Sequence, residues 1–286
     1  MNLVYLNGLF SRPETASVSV FDRGFCYGDG LFETLRTYSN RVFELGRHLD
    51  RLYYSARAIH LDLPMTRGEW TQAVLETLAM QAQGDCMLRI AVSRGAQTAG
   101  LNILADTAPT VVITARPHQP PPRESYLNGV RVALVPGSAH RIGGLDRQIK
   151  SSNYLSHILI RHEVVNRGFQ EAVLMDGDNR VTEGTTSNIF IVHKGHLLTP
   201  PPGPCVLAGI TREVVLELAR KNDVPCTEVD LSAEQIFQAD EVFLTNTGIE
   251  LLPVSCADGH LIADGRPGPL TRSLHRLFLK NIEAGF

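Results

Sequence analysis

Lysine is scarce in this chain, with four among 286 residues. Cysteine is scarce too: Cys26, Cys86, Cys205, Cys226 and Cys256 form no CxxC pair and no metal-ligand spacing. An odd, scattered set fits free thiols in a reducing compartment and excludes a disulfide framework. No apolar run reaches the roughly 18 residues that a membrane-crossing helix needs. The opening MNLVYLNGLF also lacks the basic region and long apolar stretch of a secretory signal. The protein is therefore expected to be soluble and cytoplasmic. The ten histidines contain no HExxH-like pair, which leaves a metal without support. Surplus charge is missing as well. With 27 basic and 30 acidic residues, a net charge of −3 and a pI of about 6.4, nothing marks a nucleic-acid or membrane-surface binder. A small-molecule partner fits better.

Hydrophobic residues make up 43% of the chain, enough for a large core, and the length suits one large domain or two modest ones, of which two is the expectation. Residues 4–10 read as a hairpin turning at Asn7-Gly8, and residues 31–38 as a strand. From Leu49, the apolar Leu49, Leu52, Tyr53, Ala56 and Ile59 recur at helical spacing and leave Arg51 on the opposite face. A second helix carries the stripe Trp70, Val74, Leu75 and Leu78, and MLRIAVSRG and TVVITARP read as buried strands. Residues 1–117 thus form an expected small N-terminal α+β domain. The run HQPPPRESYLNG, residues 118–129, is read as a linker because consecutive prolines can neither continue a helix nor donate to a ladder.

Residues 130–286 form the expected larger domain, with strands at 130–135, 171–175, 188–192 and 241–245 and helices near 151–166, 211–221 and 270–282. Strands and helices do not strictly alternate, which argues against a doubly wound parallel sheet. The expected fold class is α+β: a small N-terminal α/β domain and a larger C-terminal mixed-sheet domain.

Three lysines have ordinary places: Lys194 in the turn HKG, Lys221 in the last turn of an expected helix where a cation suits the dipole, and Lys280 on the terminal helix. Lys150, in QIKSSNYL, has no such role, and a lysine amine can attack a carbonyl. In RVTEGTTSNIF, Glu183 follows a short expected strand and is surrounded by hydroxyls; taken alone, it reads equally as a turn carboxylate in solvent. In LAGITREVVLELARK, Gly209 permits close backbone approach, and Ile210 and Thr211 open an amphipathic helix with unpaired amides. That is an anion site or simply a helix start. Arg51 is either the accompanying cation or a solvated side chain. Together these groups meet the needs of pyridoxal 5'-phosphate: an amine for its aldehyde, a carboxylate for its pyridine nitrogen, and amides plus an arginine for its phosphate.

With these residues the chain resembles the fold-type IV, or class IV, pyridoxal-phosphate enzymes. Their members include branched-chain aminotransferases, D-amino acid aminotransferases and aminodeoxychorismate lyases. The resemblance runs from FDRGFCYGDGLFETLR through HLDRLYYSA, IKSSNYL, VTEGTTSNIF and GITRE to DEVFLTNTGIELLPV, nearly the whole chain. It implies that Lys150 is the catalytic Schiff-base lysine and proton carrier, and that Glu183 keeps the pyridine nitrogen protonated. It further implies that Arg51, Ile210, Thr211 and Thr247 hold the phosphate, and that Tyr154 bonds the cofactor's phenolic oxygen. A homodimer whose site borrows a partner loop is also implied.

Within the group, branched-chain enzymes typically carry FEG and a GTAAE-like turn, where this chain has Phe32-Glu33-Thr34 and Asn246-Thr247-Gly248-Ile249-Glu250. D-amino acid enzymes carry an Arg-x-His pair that SRGAQTAGLNI lacks. Lyases often have FET, with a hydroxyl like that of Thr34, and SRG, but many have arginine at the position of Tyr154. Tyr27 and Arg89 match the branched-chain pattern for substrate contacts, although Arg89 also reads as a strand-edge ion-pair partner and Tyr27 as a loop cap. The first expectation is ping-pong transfer of an amino group from a branched-chain L-amino acid to a 2-oxo acid such as 2-oxoglutarate. D-amino acid transamination, pyruvate release from aminodeoxychorismate, and a non-enzymatic phosphate-ligand binding module are the alternatives.

Overall fold

Asn7 and Gly8 take φ values of 48° and 91°, which turn β1 (Val4–Leu6) back on β2 (Leu9–Ser11) as the Asn-Gly pair predicts. The computed structural model describes residues 3–81, 84–98, 100–104, 108–137 and 148–285. It divides the chain into two compact units, residues 1–119 with 149–153, and residues 120–148 with 154–286. The sequence boundary had placed residues 149–153 with the second unit.

After the hairpin, the first unit contains α1 (Arg23–Tyr27), β3 (Gly30–Tyr38), β4 (Arg41–Val42), α2 (Leu45–Ala58), α3 (Arg67–Ala79), β5 (Cys86–Ser93) and β6 (Thr110–Pro117). Its antiparallel sheet has the order β2-β1-β6-β5-β3-β4. Alternation along β5 buries Cys86, Leu88, Ile90 and Val92 in one core with Leu31 and Leu35 of β3, Leu49 and Leu52 of α2, and Trp70 and Val74 of α3. The α3 stripe differs from expectation. Leu75 is exposed, and the buried face is Trp70, Ala73, Val74 and Thr77. Thr77 joins it because its hydroxyl donates to Ala73 O at 2.7 Å, so the polar group goes inward already satisfied.

The second unit opens with α4 (Arg123–Asn128), inside the stretch expected to be a linker. The prolines precede this helix, with Pro122 at its N-cap, where a missing N–H costs nothing. The chain continues through β7 (Val130–Val135), α5 (Leu155–Asn166), β8 (Glu171–Met175), β9 (Arg180–Gly184), β10 (Asn188–His193), β11 (His196–Thr199), α6 (Ile210–Lys221) and β12 (Cys226–Glu228). It ends with β13 (Leu231–Ser232), α7 (Ala233–Phe237), β14 (Glu241–Asn246), β15 (Glu250–Ala257), β16 (His260–Leu261) and α8 (Pro269–Glu283). The sheet order is β12-β11-β10-β14-β15-β7-β8-β9-β13, with β16 on β15. Parallel joints at β15/β7, β7/β8 and β11/β12 make it the mixed sheet that the element pattern implied. Its central strands are buried on both faces: Val242 and Leu244 of β14 enter the core with Val132 and Ile191, while Phe243 stacks on Phe190 on the other side. This explains their continuous apolar sequence. Among the described residues no helix is long and apolar enough to cross a membrane.

Candidate active site

In the first unit, Lys150 is fixed by its backbone. Phe32 N donates to Lys150 O at 3.0 Å, Ser152 N donates to Gly30 O at 2.9 Å, and Leu31 bridges Ser151. Residues 150–152 thus extend the edge of β3, and their main-chain bonds go to that strand. For this reason the helix expected from residue 151 begins at Leu155. Lys150 Nζ lies 4.7 Å from the centroid of the Phe32 ring, and the Arg89 guanidinium lies 3.7 Å from it. Thr34 sits opposite Arg89 in the β3/β5 register. Lys150 and Arg89 therefore meet on one aromatic ring, a favourable setting for cations. Tyr27, exposed at the end of α1, lies 5.3 Å from the Arg23 guanidinium.

Arg51 is not the solvated side chain that its helix face suggested. It is 11% exposed and paired at two points with Glu33, which is wholly buried on β3. His48 Nδ1 reaches the same carboxylate at 2.7 Å. Burial acts to raise the Glu33 pKa, but the charge and hydrogen bonds of Arg51, followed by those of His48, hold it down at about 2. Burial, outweighing the Glu33 carboxylate, pushes the His48 pKa below its ordinary value. Because Glu33 is ionised and can only accept, Nδ1 of His48 carries the proton donated to it.

In the second unit, Glu183 lies within β9 rather than beyond it. One carboxylate oxygen accepts from Leu207 N at 2.8 Å and from Asn188 Nδ2 at 3.5 Å. The neighbouring hydroxyls of Thr185 and Thr186 serve a different acid, Glu171, which also binds Arg161 at 2.6 Å. Asn188 donates to Leu207 O at 2.9 Å, and its Oδ1 would lie 1.8 Å from a Cβ at Gly209. Glycine is required here by close approach, since its φ of −75° suits any residue.

Gly209 is the N-cap of α6 and offers no side-chain cap to the helix amides; Ile210 and Thr211, buried, form the first turn. Thr247 rides on the β14/β15 turn, in which Asn246 Oδ1 accepts from Gly248 N at 2.8 Å and Ile249 N at 2.9 Å. Asn246 Nδ2 ties this turn to Thr186 O at 3.0 Å. The buried hydroxyls of Ser187 and Thr245 have no partner among the described residues. Uncapped amides, a glycine pressed against Asn188 and unpaired buried hydroxyls form a donor set suited to a phosphorylated cofactor. Tyr154 is the N-cap of α5, and its ring stacks on His157 at 4.9 Å.

Glu33, His48, Asn188 and Leu207 were missed by sequence reasoning. Glu33 carried one available signal, a carboxylate in the middle of the apolar strand GLFETLRTY.

The chain matches the family model "Amino-transferase class IV" over residues 30–256. It is 39% identical to a provisionally named branched-chain-amino-acid aminotransferase of Methanocaldococcus jannaschii, over 96% of this chain and 94% of the relative. It is 34% identical to a D-alanine aminotransferase of Listeria monocytogenes, over 98% of this chain and 96% of the relative. The crystal structure of a T.th. branched-chain amino acid aminotransferase with pyridoxamine 5'-phosphate superposes with a TM-score of 0.92 at 29% identity, covering 98% and 93% of the two chains. These likenesses set aside the non-enzymatic binding module. The chain belongs to the class IV aminotransferases: it is a pyridoxal 5'-phosphate enzyme of fold type IV.

Proposed function

We propose that this aminotransferase moves the amino group of a branched-chain L-amino acid to a 2-oxo acid such as 2-oxoglutarate in ping-pong fashion, as a cytoplasmic homodimer. The observation that supports this reading is that Lys150 and Arg89 lie 4.7 Å and 3.7 Å from the Phe32 ring centroid, where Lys150 would be the reactive amine and Arg89 a cation for the substrate carboxylate. The absence of an Arg-x-His pair from SRGAQTAGLNI weighs against the D-specific alternative. Five free cysteines suit a reducing compartment.

When bound, pyridoxal 5'-phosphate supplies an aldehyde and an electron-accepting ring. Lys150 would hold that aldehyde covalently and then carry a proton to and from the substrate α-carbon. Glu183, oriented by Leu207 N–H and Asn188, would keep the proton on the pyridine nitrogen, because a carboxylate favours the cationic ring. The amides of Ile210 and Thr211, with Thr247 and Arg51, would bind the phosphate, and Tyr154 the phenolic oxygen. Tyr27, Thr34 and Arg89 would shape the substrate side.

The test is the visible spectrum of the purified holoenzyme after L-leucine is added without any oxo acid. Loss of the yellow absorption supports the proposal. Persistence with L-leucine but loss with D-alanine transfers the enzyme to the D-amino acid reading, and pyruvate release from aminodeoxychorismate alone would make it a lyase.

A further inference from the structure

The turn that carries Thr247 ends on a residue in an uncommon backbone state. Glu250, the first residue of β15, has a φ of 54°, a left-handed conformation that glycine adopts freely and glutamate keeps only when its surroundings hold it. Two side chains from other elements of the same unit grip this end. His275 of α8 places Nε2 2.7 Å from the Glu250 carboxylate, and Tyr126 of α4 donates its hydroxyl to Ile249 O at 3.1 Å. The two rings stack, with centroids 5.5 Å apart and planes 19° from parallel. The phenol and the imidazole therefore form one block against consecutive residues. The other end of the turn is already fixed by the Asn246 side chain and its bond to Thr186.

We propose that Tyr126 and His275 are positioning residues for the cofactor phosphate, holding the Asn246 to Glu250 turn in the shape that presents Thr247. This rests on the assignment of Thr247 to the phosphate made above. A hydrogen-bond donor on a hairpin tip is useful only if its backbone is fixed, because such bonds weaken steeply with distance and angle. Here the tip has no regular ladder of its own beyond Asn246 and Glu250, so its rigidity comes from side chains: Asn246 at one end and the stacked pair at the other. Neither ring needs to touch the cofactor to act in this way.

The test compares the affinity of the full-length protein for pyridoxal 5'-phosphate with its affinity for pyridoxal, which lacks the phosphate. The variants are Thr247→Val, Tyr126→Phe, His275→Leu and the Thr247→Val/Tyr126→Phe double variant. Tyr126→Phe and His275→Leu are each expected to weaken pyridoxal 5'-phosphate roughly three- to tenfold, the size of one net hydrogen bond, and to leave pyridoxal unchanged. In the Thr247→Val background, Tyr126→Phe should have no further effect on the ratio. His275→Gln, which still offers a donor to Glu250, should keep the wild-type ratio and serves if His275→Leu folds poorly. A loss with Thr247→Val but none with the Tyr126 or His275 variants overturns the brace and leaves the Thr247 assignment standing. An unchanged ratio in Thr247→Val overturns that assignment, and the brace with it. Equal loss for both ligands in Tyr126→Phe also overturns the proposal, since it marks a general packing role.

Discussion

Glu33 of β3 and Arg51 of α2 are joined at two points, Nε to Oε1 at 2.8 Å and Nη2 to Oε2 at 2.6 Å, with the carboxylate fully buried. Such a fork fixes the guanidinium plane as well as its position. Removing Arg51 leaves a buried charge without its main partner, so Arg51→Ala is expected to cost about 3–5 kcal/mol. Urea unfolding measures this. Arg51→Lys should recover only part of the loss, because a point charge cannot replace the fork.

The same pair makes stability depend on pH. The Glu33 pKa is lowered on folding from 4.5 to about 2. Its contribution is therefore complete above about pH 4.5 and lost as the pH falls through about 2. Wild type should exceed Glu33→Gln by on the order of 3 kcal/mol at neutral pH, and the gap should close under acid. Unfolding curves of both proteins over that range check the trend; a gap independent of pH would show that charge is not its source.

Lys150→Ala removes the amine that the assigned chemistry needs. Turnover should fall to background, and borohydride should no longer attach the cofactor to the protein, as mass spectrometry of the intact chain would read. Retention of wild-type turnover would sink the assignment of Lys150.

How much of this was visible in the sequence depends on the range of the interaction. Local chemistry was legible: the Asn7-Gly8 turn, the Leu49/Leu52/Ala56 stripe of α2 and the uncapped start of α6 all follow from neighbouring residues. Lys150 stood out by composition, but its pinning to β3 did not, since the bridge from Leu31 to Ser151 joins segments far apart in the chain. Periodicity placed Arg51 off the apolar face of α2 and could not reveal that Glu33 waits there, because the pair depends on how helix and strand pack. Likewise, the hydroxyl-rich TEGTTSN suggested a polar setting for Glu183, yet those threonines turn to Glu171, which the sequence places on a separate strand.

Glu183→Gln should leave the cofactor bound while slowing single-turnover loss of the substrate α-proton by roughly 100-fold or more. The amide keeps the size of the side chain and can still accept from Leu207 N, but it cannot favour a cationic ring. Stopped-flow spectroscopy with substrate in excess isolates this step from product release. An unchanged rate would reduce Glu183 to a holder of the Leu207 loop.

Gly209→Ala offers a test in which two physical effects oppose. The backbone at Gly209, with φ of −75° and ψ of 128°, accepts alanine without strain, and such a change ordinarily stabilises a protein by about 0.4–1 kcal/mol through the unfolded chain. The new Cβ, however, would sit 1.8 Å from Asn188 Oδ1 and 3.4 Å from Arg212 Cβ. Overpacking of this kind typically costs about 1–3 kcal/mol, so the clash should win and lower the Tm. Because Asn188 also donates to Leu207 O and faces Glu183, its displacement should weaken pyridoxal 5'-phosphate binding at the same time. Asn188→Ala takes away the obstructing oxygen. In that background Gly209→Ala should become neutral or stabilising, a non-additivity expected only of side chains in contact. If the two substitutions instead add simply, the close approach of Asn188 is not what reserves this position for glycine.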